Sequence, residues 1–343
     1  MVLRVDAIGD YLLFRNFLKP LYQKYGKLVL VVNQGCKEIV EKCDKEYLDE
    51  IIYFDGKKFS HNLIYRTKLL RKLRCCSFQG LIHPTYGRDY RGEDIARKII
   101  AKEKIAPIGD SSNVLSFHKK RFDKNYTHLL PCAKEIMFEL DRNYEFISQI
   151  CNIEEMKLSI QLPREDISCF KLETKYIVFF IGASTECRKW NIENLIHLGE
   201  ILQKDYQIVL CGGKEDWQRG EGIRQKLANC INLCGMTTLV ELGLVLEASE
   251  FVISNETSCV HLYMSLEKKK KIYVLSAGNT IVRFTPYPQQ YESNYKVIFH
   301  PFIEKNFREF LWISQNITHS GGGLSIKQID FQDVLKRMSE VKM

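Results

Sequence analysis

The stretch VISNETSCVHL, residues 252–262, places an apolar run before a short polar turn and an apparent helix. A strand that feeds a helix in this way aims several backbone N–H groups and the positive end of the helix dipole at one point, which suits an anion. Thr257 and Ser258 add hydroxyl donors, and His261 lies one turn further along. Glu256 would repel a phosphate, so we expect its carboxylate to accept hydrogen bonds from sugar hydroxyls. On its own the stretch is better explained as a capped helix with a buried histidine, but its neighbours favour a ligand site.

Strand and helix patterns alternate on both sides of this stretch. This alternation predicts a parallel sheet covered by helices on both faces. Ligands of such sheets bind at the carboxyl ends of the strands, where Gly182, Gly212-Gly213 and Glu256-Thr257 fall. We therefore expect a nucleotide-type ligand at this edge. The predicted strands cover residues 176–181, 207–210, 231–233, 251–254 and 271–276, with helices over 191–204 and 239–248 and a further helix after Thr257.

The N-terminal half alternates in the same way and predicts a second domain of the same class. Its predicted strands cover residues 2–5, 28–32, 50–54 and 80–83, with helices over 11–25, 36–42 and 62–73. A length of 343 residues suits two domains of ordinary size. The polar segment around residues 152–157 leads into the region where we place the interdomain linker, ahead of Lys171.

Basic residues concentrate in the first half of the chain. Residues 1–150 hold 27 Lys and Arg against 19 Asp and Glu, whereas residues 151–343 hold 23 of each, so the whole formal charge of +8 belongs to the first half. Within residues 57–74 the cations interleave with leucine and isoleucine. Two interpretations stay open: an amphipathic helix that binds anionic lipid, or a solvated helix whose apolar side chains pack inward. The apolar residues concerned are Leu63, Ile64, Leu69, Leu70 and Leu73.

Several classes of protein and site are not expected. Zinc-finger spacing, an aromatic RNA-binding strand and a basic arm are absent from the sequence, which argues against a nucleic-acid partner. Asp6 and Asp10 interrupt the start of the chain, so we expect no signal peptide, and no apolar run could span a bilayer. The twelve cysteines lack metal-site spacing and are expected to be free thiols, with no metal bound. The predicted location is cytoplasmic, with possible peripheral contact to the inner membrane.

Five blocks of sequence, in order and in register from residue 4 to about 280, resemble glycosyltransferase family 9, the heptosyltransferases of lipopolysaccharide assembly. The resemblance implies a GT-B fold, in which two doubly wound Rossmann-like domains face each other across a cleft. It implies an acceptor-binding domain over residues 1–165, a nucleotide-sugar donor domain over 166–325 and a C-terminal helix over 326–343. The blocks read RVDAIGDYLL (4–13), GAS with RKW (182–190), GGKED (212–216), NLCG (232–235) and SNET followed by His261.

The resemblance makes Asp10 the expected catalytic base, which removes the proton of the acceptor hydroxyl during inverting sugar transfer. Gly9 lets the backbone turn and lets substrate approach. From the sequence alone, capping of the following helix is the more common role for Asp10, and Asp6 is a poorer match to the base. Besides Gly9, the residues expected to contact the acceptor are His83, Arg66 and Arg71.

The donor site implied by the resemblance needs a cation beside the leaving diphosphate, since no metal is expected. The family usually has a lysine two residues before the tryptophan, and Arg188 holds that position. Lys189 follows it, so either cation could contact the donor, and Arg188 is the better positional match. Arginine keeps the charge but is not equivalent to lysine. Ser184 and Thr185 are expected at the phosphates, Asp216 at the donor sugar or ribose and Met236 at the nucleobase.

The family's common Asp-Thr-Gly is replaced by Glu256-Thr257-Ser258, which puts the identity of the donor in doubt. The expected function is inverting transfer of a heptose or similar sugar, from ADP-heptose as the default donor, to a phosphorylated lipopolysaccharide or lipooligosaccharide core. Three alternatives remain. They are transfer from a different nucleotide sugar, a GT-B epimerase or hydrolase, and a non-catalytic nucleotide-sugar-binding protein.

Overall fold

The protein, described by a computed structural model over residues 1–153, 156–291, 294–316 and 324–339, divides into two compact units. The first unit comprises Met1–Lys157 and the second Leu158–Met343. The predicted boundary, at residues 165 and 166, lies inside the second unit.

The first unit contains a six-stranded sheet in which every pairing is parallel. Its strand order is β3-β2-β1-β4-β5-β6, so the direction of the connections reverses between β1 and β4. Ligands of doubly wound sheets bind at this kind of reversal. The strands are β1 (Val2–Arg4), β2 (Val29–Asn33), β3 (Glu50–Phe54), β4 (Ser77–Ile82), β5 (Ile100–Pro107) and β6 (His128–Leu130).

The helices of the first unit correct two predictions. The helix predicted over 11–25 is broken by a 3₁₀ turn, because Pro20 lacks the N–H that a continuous helix would need there. The helix predicted over 36–42 is a mixture of 3₁₀, α and π turns. The α-helices are α1 (Ile8–Leu12), α2 (Leu18–Tyr25), α3 (Lys37–Ile39), α4 (Gly56–His61), α5 (Leu63–Arg74), α6 (Tyr90–Lys98), α7 (Ser116–Phe122) and α8 (Glu139–Ser148).

The second unit repeats the same topology with a sheet ordered β12-β11-β10-β7-β8-β9. All of its pairings are parallel, and the reversal lies between β7 and β10. Its strands are β7 (Tyr176–Phe180), β8 (Gln207–Cys211), β9 (Cys230–Asn232), β10 (Phe251–Asn255), β11 (Lys271–Ser276) and β12 (Tyr295–Phe299). Its α-helices are α9 (Ile192–Leu202), α10 (Trp217–Arg224), α11 (Leu239–Ala248), α12 (Ser258–Ser265), α13 (Pro301–Lys305), α14 (Phe307–Asn316) and α15 (Phe331–Ser339).

The predicted parallel sheets are confirmed. Burial explains why some of their strands can be recognised from the sequence. Strands β8 and β10 are buried along their whole length, and buried parallel strands read as continuous apolar runs. Within the predicted C-terminal segment 326–343, a 3₁₀ turn at Ile326–Gln328 precedes α15, and residues 340–343 lie outside the described residues. All twelve cysteines, which fall in the described ranges, are free thiols. In those ranges no helix combines the length and the apolar character needed to cross a bilayer.

Candidate functional site

The loops that follow β7 and β10 are tied together at the reversal point of the second sheet. Asn255, the last residue of β10, donates from Nδ2 to the carbonyl oxygens of Ile181 (2.9 Å) and Gly182 (3.2 Å). Asn255 is itself buried, so these bonds satisfy an amide that would otherwise be costly to bury. The two predicted ligand-binding turns therefore form one edge.

Arg188 lies across the loop after β7. Its Nη2 donates to Ser184 Oγ (2.5 Å) and its Nε to Thr185 Oγ1 (3.2 Å), so three of the predicted donor-site residues are brought together. Arg188 makes no ion pair with any residue that the structure describes. A guanidinium held by neutral hydroxyls keeps its full charge for an anionic ligand.

Lys189, the adjacent cation, is engaged elsewhere. Its Nζ lies 2.9 Å from Asp216 Oδ1 and 3.1 Å from Glu186 Oε1. Hydrogen bonding to Asp216 raises the pKa of the Lys189 ammonium above its ordinary value. The Asp216 side chain is only 1% exposed, and its Oδ2 accepts a hydrogen bond from the backbone N–H of Gly213 (3.0 Å). Asp216, which is predicted to contact the donor sugar or ribose, pairs with Lys189 inside the fold.

Glycine at position 182 is required by that carboxylate. A Cβ added at Gly182 would lie 2.5 Å from Asp216 Oδ2, closer than packed atoms approach. The backbone of the loop after β7 therefore lies directly against the Lys189–Asp216 pair. Trp190 fixes the end of the loop, since its indole is buried and donates from Nε1 to the Ile329 carbonyl (2.8 Å).

Hydrogen bonds within the second unit occupy the polar side chains of the turn after β10. Thr257 Oγ1 accepts from the backbone N–H of Cys259 (3.2 Å), which is the capping role, and Ser258 is the first residue of α12. Glu256 is buried, and the hydroxyls of Ser276 and Thr280 each donate to one of its carboxylate oxygens. A carboxylate has about four acceptor positions, so sugar hydroxyls can compete only for the others.

His261 is placed as the buried histidine that the sequence also allowed. Its Nδ1 lies 2.7 Å from Tyr287 Oη, and its ring packs 5.5 Å from that of Phe284. The side chain is buried within the second unit. The structure does not place it with Arg188, and Tyr287 is a partner that no motif in the sequence indicated.

Met236 lies in the turn after β9 and is exposed. Gly235 precedes it with φ of +70°, and its N–H bonds the carbonyl of Gly212 (2.9 Å). The loops after β8 and β9 are thus joined, as those after β7 and β10 are. Strand β9 is two strands away from β7, about 10 Å along the sheet edge, which is a distance that a nucleotide can bridge.

In the first unit, Asp10 lies in α1 directly after β1. Its Oδ2 accepts from the backbone N–H of Ala7 (3.2 Å), so the carboxylate does cap this helix. Gly9 is the buried second residue of α1. Arg4, at the end of β1, is fully buried and donates from Nη2 to the Asp10 carbonyl (3.1 Å). The buried cation thereby holds the turn that carries Asp10.

Two carboxylates pair with this one buried guanidinium. Arg4 Nε lies 3.2 Å from Asp6 Oδ1, and Nη2 lies 3.4 Å from Glu139 Oε1. Burial raises the pKa of Asp6 to about 7, against the opposing effect of Arg4. Neither Arg4 nor Glu139 is among the site residues predicted from the sequence. An arginine inside an apolar first strand was a usable signal, whereas nothing in the sequence links Glu139 to position 4.

The predicted acceptor residues of the first unit lie in different surroundings. His83 is buried with Nδ1 2.7 Å from Tyr126 Oη, and burial lowers the pKa of its imidazole well below the usual value. Arg66 pairs with Asp94 (2.7 Å) and Arg71 is exposed on α5. Among the described residues no group of three or more His, Cys, Asp or Glu is arranged to hold a metal ion.

Comparison with known proteins agrees with this architecture. A profile of glycosyltransferase family 9 (heptosyltransferase) matches residues 102–298. The chain is 32% identical over 105 residues to lipooligosaccharide heptosyltransferase 2 of Haemophilus ducreyi, a match that spans only 29% of this chain and 30% of that protein.

Solved structures resemble the chain over 99% of its length. They include a family 9 glycosyltransferase of Veillonella parvula (TM-score 0.72, 17% identity, 96% of that chain covered) and E. coli heptosyltransferase WaaC with ADP-2-deoxy-2-fluoro heptose (0.70, 16%, 99%). E. coli ADP-heptose lps heptosyltransferase II gives 0.69 at 15% identity, with 97% of it covered. At these identities the likeness concerns the fold, and it confirms the predicted GT-B class.

Proposed function

The chain belongs to glycosyltransferase family 9, and on that premise we propose that it transfers a heptose or a similar sugar from an ADP-linked donor. The acceptor that we propose is the phosphorylated core of a lipopolysaccharide or lipooligosaccharide. The Haemophilus ducreyi relative is named for this class of acceptor, and the WaaC structure holds an ADP-heptose analogue. These names support the proposal for a chain that shares their family and fold.

The observation that carries the proposal is the position of Arg188. Sugar transfer leaves a nucleoside diphosphate, whose developing negative charge must be stabilised where the bond breaks. Arg188 is held by Ser184 and Thr185 at the carboxyl end of β7, and no carboxylate among the described residues neutralises it. Its remaining N–H donors suit a diphosphate, since a guanidinium binds phosphate oxygens in pairs.

The other donor contacts follow from the sheet edge. We assign the nucleobase to the exposed side chain of Met236, two strands away from β7, and the diphosphate to the edge between Arg188 and the first turn of α12. Glu256 then faces the sugar with the acceptor positions that Ser276 and Thr280 leave. In this arrangement Lys189 and Asp216 support the loop and do not contact the donor.

Asp10 is the base that we propose for the acceptor. Its carboxylate takes the proton of the acceptor hydroxyl while the hydroxyl oxygen bonds to the anomeric carbon and the bond from that carbon to the diphosphate oxygen breaks. The configuration at the anomeric carbon inverts, and the diphosphate leaves with the bonding electron pair. Arg4 holds the Asp10 turn through its carbonyl oxygen, so the base keeps its position.

The division of labour that we propose places the acceptor with the first unit and the donor with the second. Transfer proceeds in the cytoplasm at the inner face of the membrane, without a metal and without nucleic acid as a partner. Gly9, His83, Arg66 and Arg71 stay candidates for the acceptor side. Of these, Arg71 is exposed, and His83 can act only through its neighbours because it is buried.

Calorimetric titration of the purified chain with ADP, UDP, GDP and CMP in the presence of EDTA tests the donor assignment. Selective ADP binding supports an ADP-linked donor, and preference for another nucleotide changes the sugar but keeps the class. Incubation with ADP-heptose and a lipooligosaccharide core then separates the alternatives. Without acceptor, release of ADP indicates a hydrolase, conversion of ADP-heptose to an isomeric ADP-sugar indicates an epimerase, and binding without turnover indicates a binding protein. Absence of binding at millimolar nucleotide contradicts the proposal.

A further inference from the structure

Exposed apolar side chains gather at one edge of the first unit. Leu63 and Ile64 begin α5 and are 76% and 70% exposed, and Leu115 and Phe117 at the start of α7 are 59% and 64% exposed. Large apolar residues exposed in groups are unusual for a surface that faces only water. Further along α5, Leu69 and Leu73 are buried, so the helix packs inward at its middle and end but not at its beginning.

The two pairs share an edge because of the sheet topology. Every crossover helix of a parallel sheet begins where the preceding strand ends, at the carboxyl edge. Helix α5 begins after β3 and α4, and α7 begins after β5. Asp10 follows β1 and therefore lies at this same edge.

Helix α6, which follows β4, connects the two pairs through direct contacts. On one side Asp94 of α6 pairs with Arg66 of α5 (2.7 Å). On the other side Tyr90, the first residue of α6, lies 2.8 Å from His118 Nδ1 and accepts the Leu115 N–H (3.3 Å) through its hydroxyl oxygen. The helix starts α5, α6 and α7 therefore lie side by side.

Cations flank the apolar pairs. Lys57 lies shortly before Leu63, and Lys68 follows Ile64 by one helical turn, on the same face of α5. Lys120 and Arg121 follow Phe117 by three and four residues on α7. These four cations are exposed, and none of them forms an ion pair with a residue that the structure describes. Their charge is free to meet an anionic surface.

We propose that this edge, comprising Leu63, Ile64, Leu115 and Phe117 with their flanking cations, docks the protein on an anionic lipid bilayer. Apolar side chains enter the headgroup boundary while lysine and arginine meet the lipid phosphates, the combination that binds peripheral proteins. A protein partner would explain why apolar residues are exposed at this edge. It would not explain why four unpaired cations surround them. The inference rests on the proposed function in one respect, since a lipid-linked acceptor explains why the docking edge coincides with the edge that carries Asp10.

Vesicle sedimentation of the purified full chain tests the docking. The vesicles are phosphatidylcholine alone or with about one third phosphatidylglycerol, and no nucleotide or acceptor is added. We expect binding only to the anionic vesicles. Replacing Leu115 and Phe117 by Ser should weaken it at least about tenfold, and replacing Lys120 and Arg121 by Gln about 30-fold.

A matched control lies at the opposite edge of the same sheet. Ile100, the exposed first residue of β5, is flanked by Lys98 and Lys102. Replacing Ile100 by Ser, or the two lysines by Gln, should leave vesicle binding unchanged within about twofold. Equal loss in the control and docking-edge variants would overturn the proposal, and so would conversion of a stable dimer to monomer by the Leu115 and Phe117 changes.

The experiment separates this inference from the proposed function. If the docking edge is correct and the transferase proposal wrong, vesicle binding stays sensitive to these substitutions although ADP does not bind. If the transferase proposal is correct and the docking edge wrong, the variants bind ADP and vesicles as the unsubstituted chain does. If both are correct, the Leu115 and Phe117 variant transfers sugar normally to a deacylated core but slowly to a vesicle-embedded one.

Discussion

Replacing Arg188 and Lys189 separately by Met should give two different phenotypes, although the residues are adjacent and chemically similar. Methionine approximates the length of both side chains and removes the charge. Arg188→Met should weaken ADP binding and leave the second unit stable. Lys189→Met should destabilise the second unit and, in the folded fraction, leave ADP binding nearly unchanged.

The magnitudes follow from the partners of each cation. A hydrogen bond to a charged group contributes about 1.5–3 kcal/mol, so losing the Arg188 contact with a diphosphate should weaken ADP binding by about 10- to 150-fold. The bonds from Arg188 to Ser184 and Thr185 are exposed, so their loss costs little stability. Removing Lys189 leaves Asp216 buried without its cation, which typically costs about 3–5 kcal/mol. The Gly213 N–H still donates a hydrogen bond to Asp216, so we expect a loss of stability at the lower end of that range.

Tryptophan fluorescence isolates the relevant unit, because all three tryptophans of the chain lie in the second one. Urea unfolding followed by this signal gives the stability change, and calorimetry gives the ADP affinity. Adding Asp216→Asn to Lys189→Met should recover part of the lost stability, since the second change removes the uncompensated charge. If Lys189→Met weakens ADP binding tenfold while Arg188→Met does not, the cation assignments are exchanged and the reasoning from ion pairs fails.

Three further predictions test the two units. Asp10→Asn should slow transfer at least about 100-fold without changing ADP affinity, and transfer at the original rate would remove Asp10 as the base. Burial raises the pKa of Asp6 to about 7, so the folded chain retains a proton that the unfolded chain loses near pH 4, and stability should fall as the pH rises from about 4 to 7. Asp6→Asn should flatten that dependence in urea unfolding followed by circular dichroism, and an unchanged slope would contradict the shift. Gly235→Ala should destabilise the second unit by about 1–2 kcal/mol, because φ is +70° and the added Cβ would lie 2.7 Å from Lys214 Cα. The control Gly222→Ala in α10, with open space around it, should be neutral or stabilising in the same unfolding assay.

The parallel sheets could be predicted because their central strands are buried on both faces. Strands β7, β8 and β10 are almost wholly buried, so each carries an apolar run of at least three residues: YIVFF in β7, IVLC in β8 and FVI in β10. Strand β5 was missed because three of its eight residues, Lys102, Glu103 and Lys104, are charged and its first part is largely exposed, which gives neither an apolar run nor a clean alternation. The break between α1 and α2 was missed although Pro20 marked it.

The sequence predicted which loops of the second unit meet, but not which side chains in those loops pair with each other. The carboxyl ends of parallel strands meet at one edge, so the turn after β10 and the loop after β7 had to be neighbours. Which of two adjacent cations stays available for a ligand depends on Asp216, which is distant in sequence and buried beside only one of them. The same limit applies to Glu256, whose hydroxyl partners Ser276 and Thr280 come from the strand and loop that follow.

Capping and catalysis do not exclude each other at Asp10. The hydrogen bond from the Ala7 N–H occupies one acceptor position of a carboxylate that has about four. That bond restricts the rotation of the side chain, and a base that is already oriented loses less entropy when it meets the acceptor hydroxyl. Arg4 fixes the same turn through the Asp10 carbonyl, so the position is held from two directions. Asparagine at position 10 can still accept the Ala7 N–H through its amide oxygen but cannot take a proton. The cap therefore survives the substitution that removes the proposed base, and loss of transfer in a stably folded Asp10→Asn protein would support the role in proton transfer.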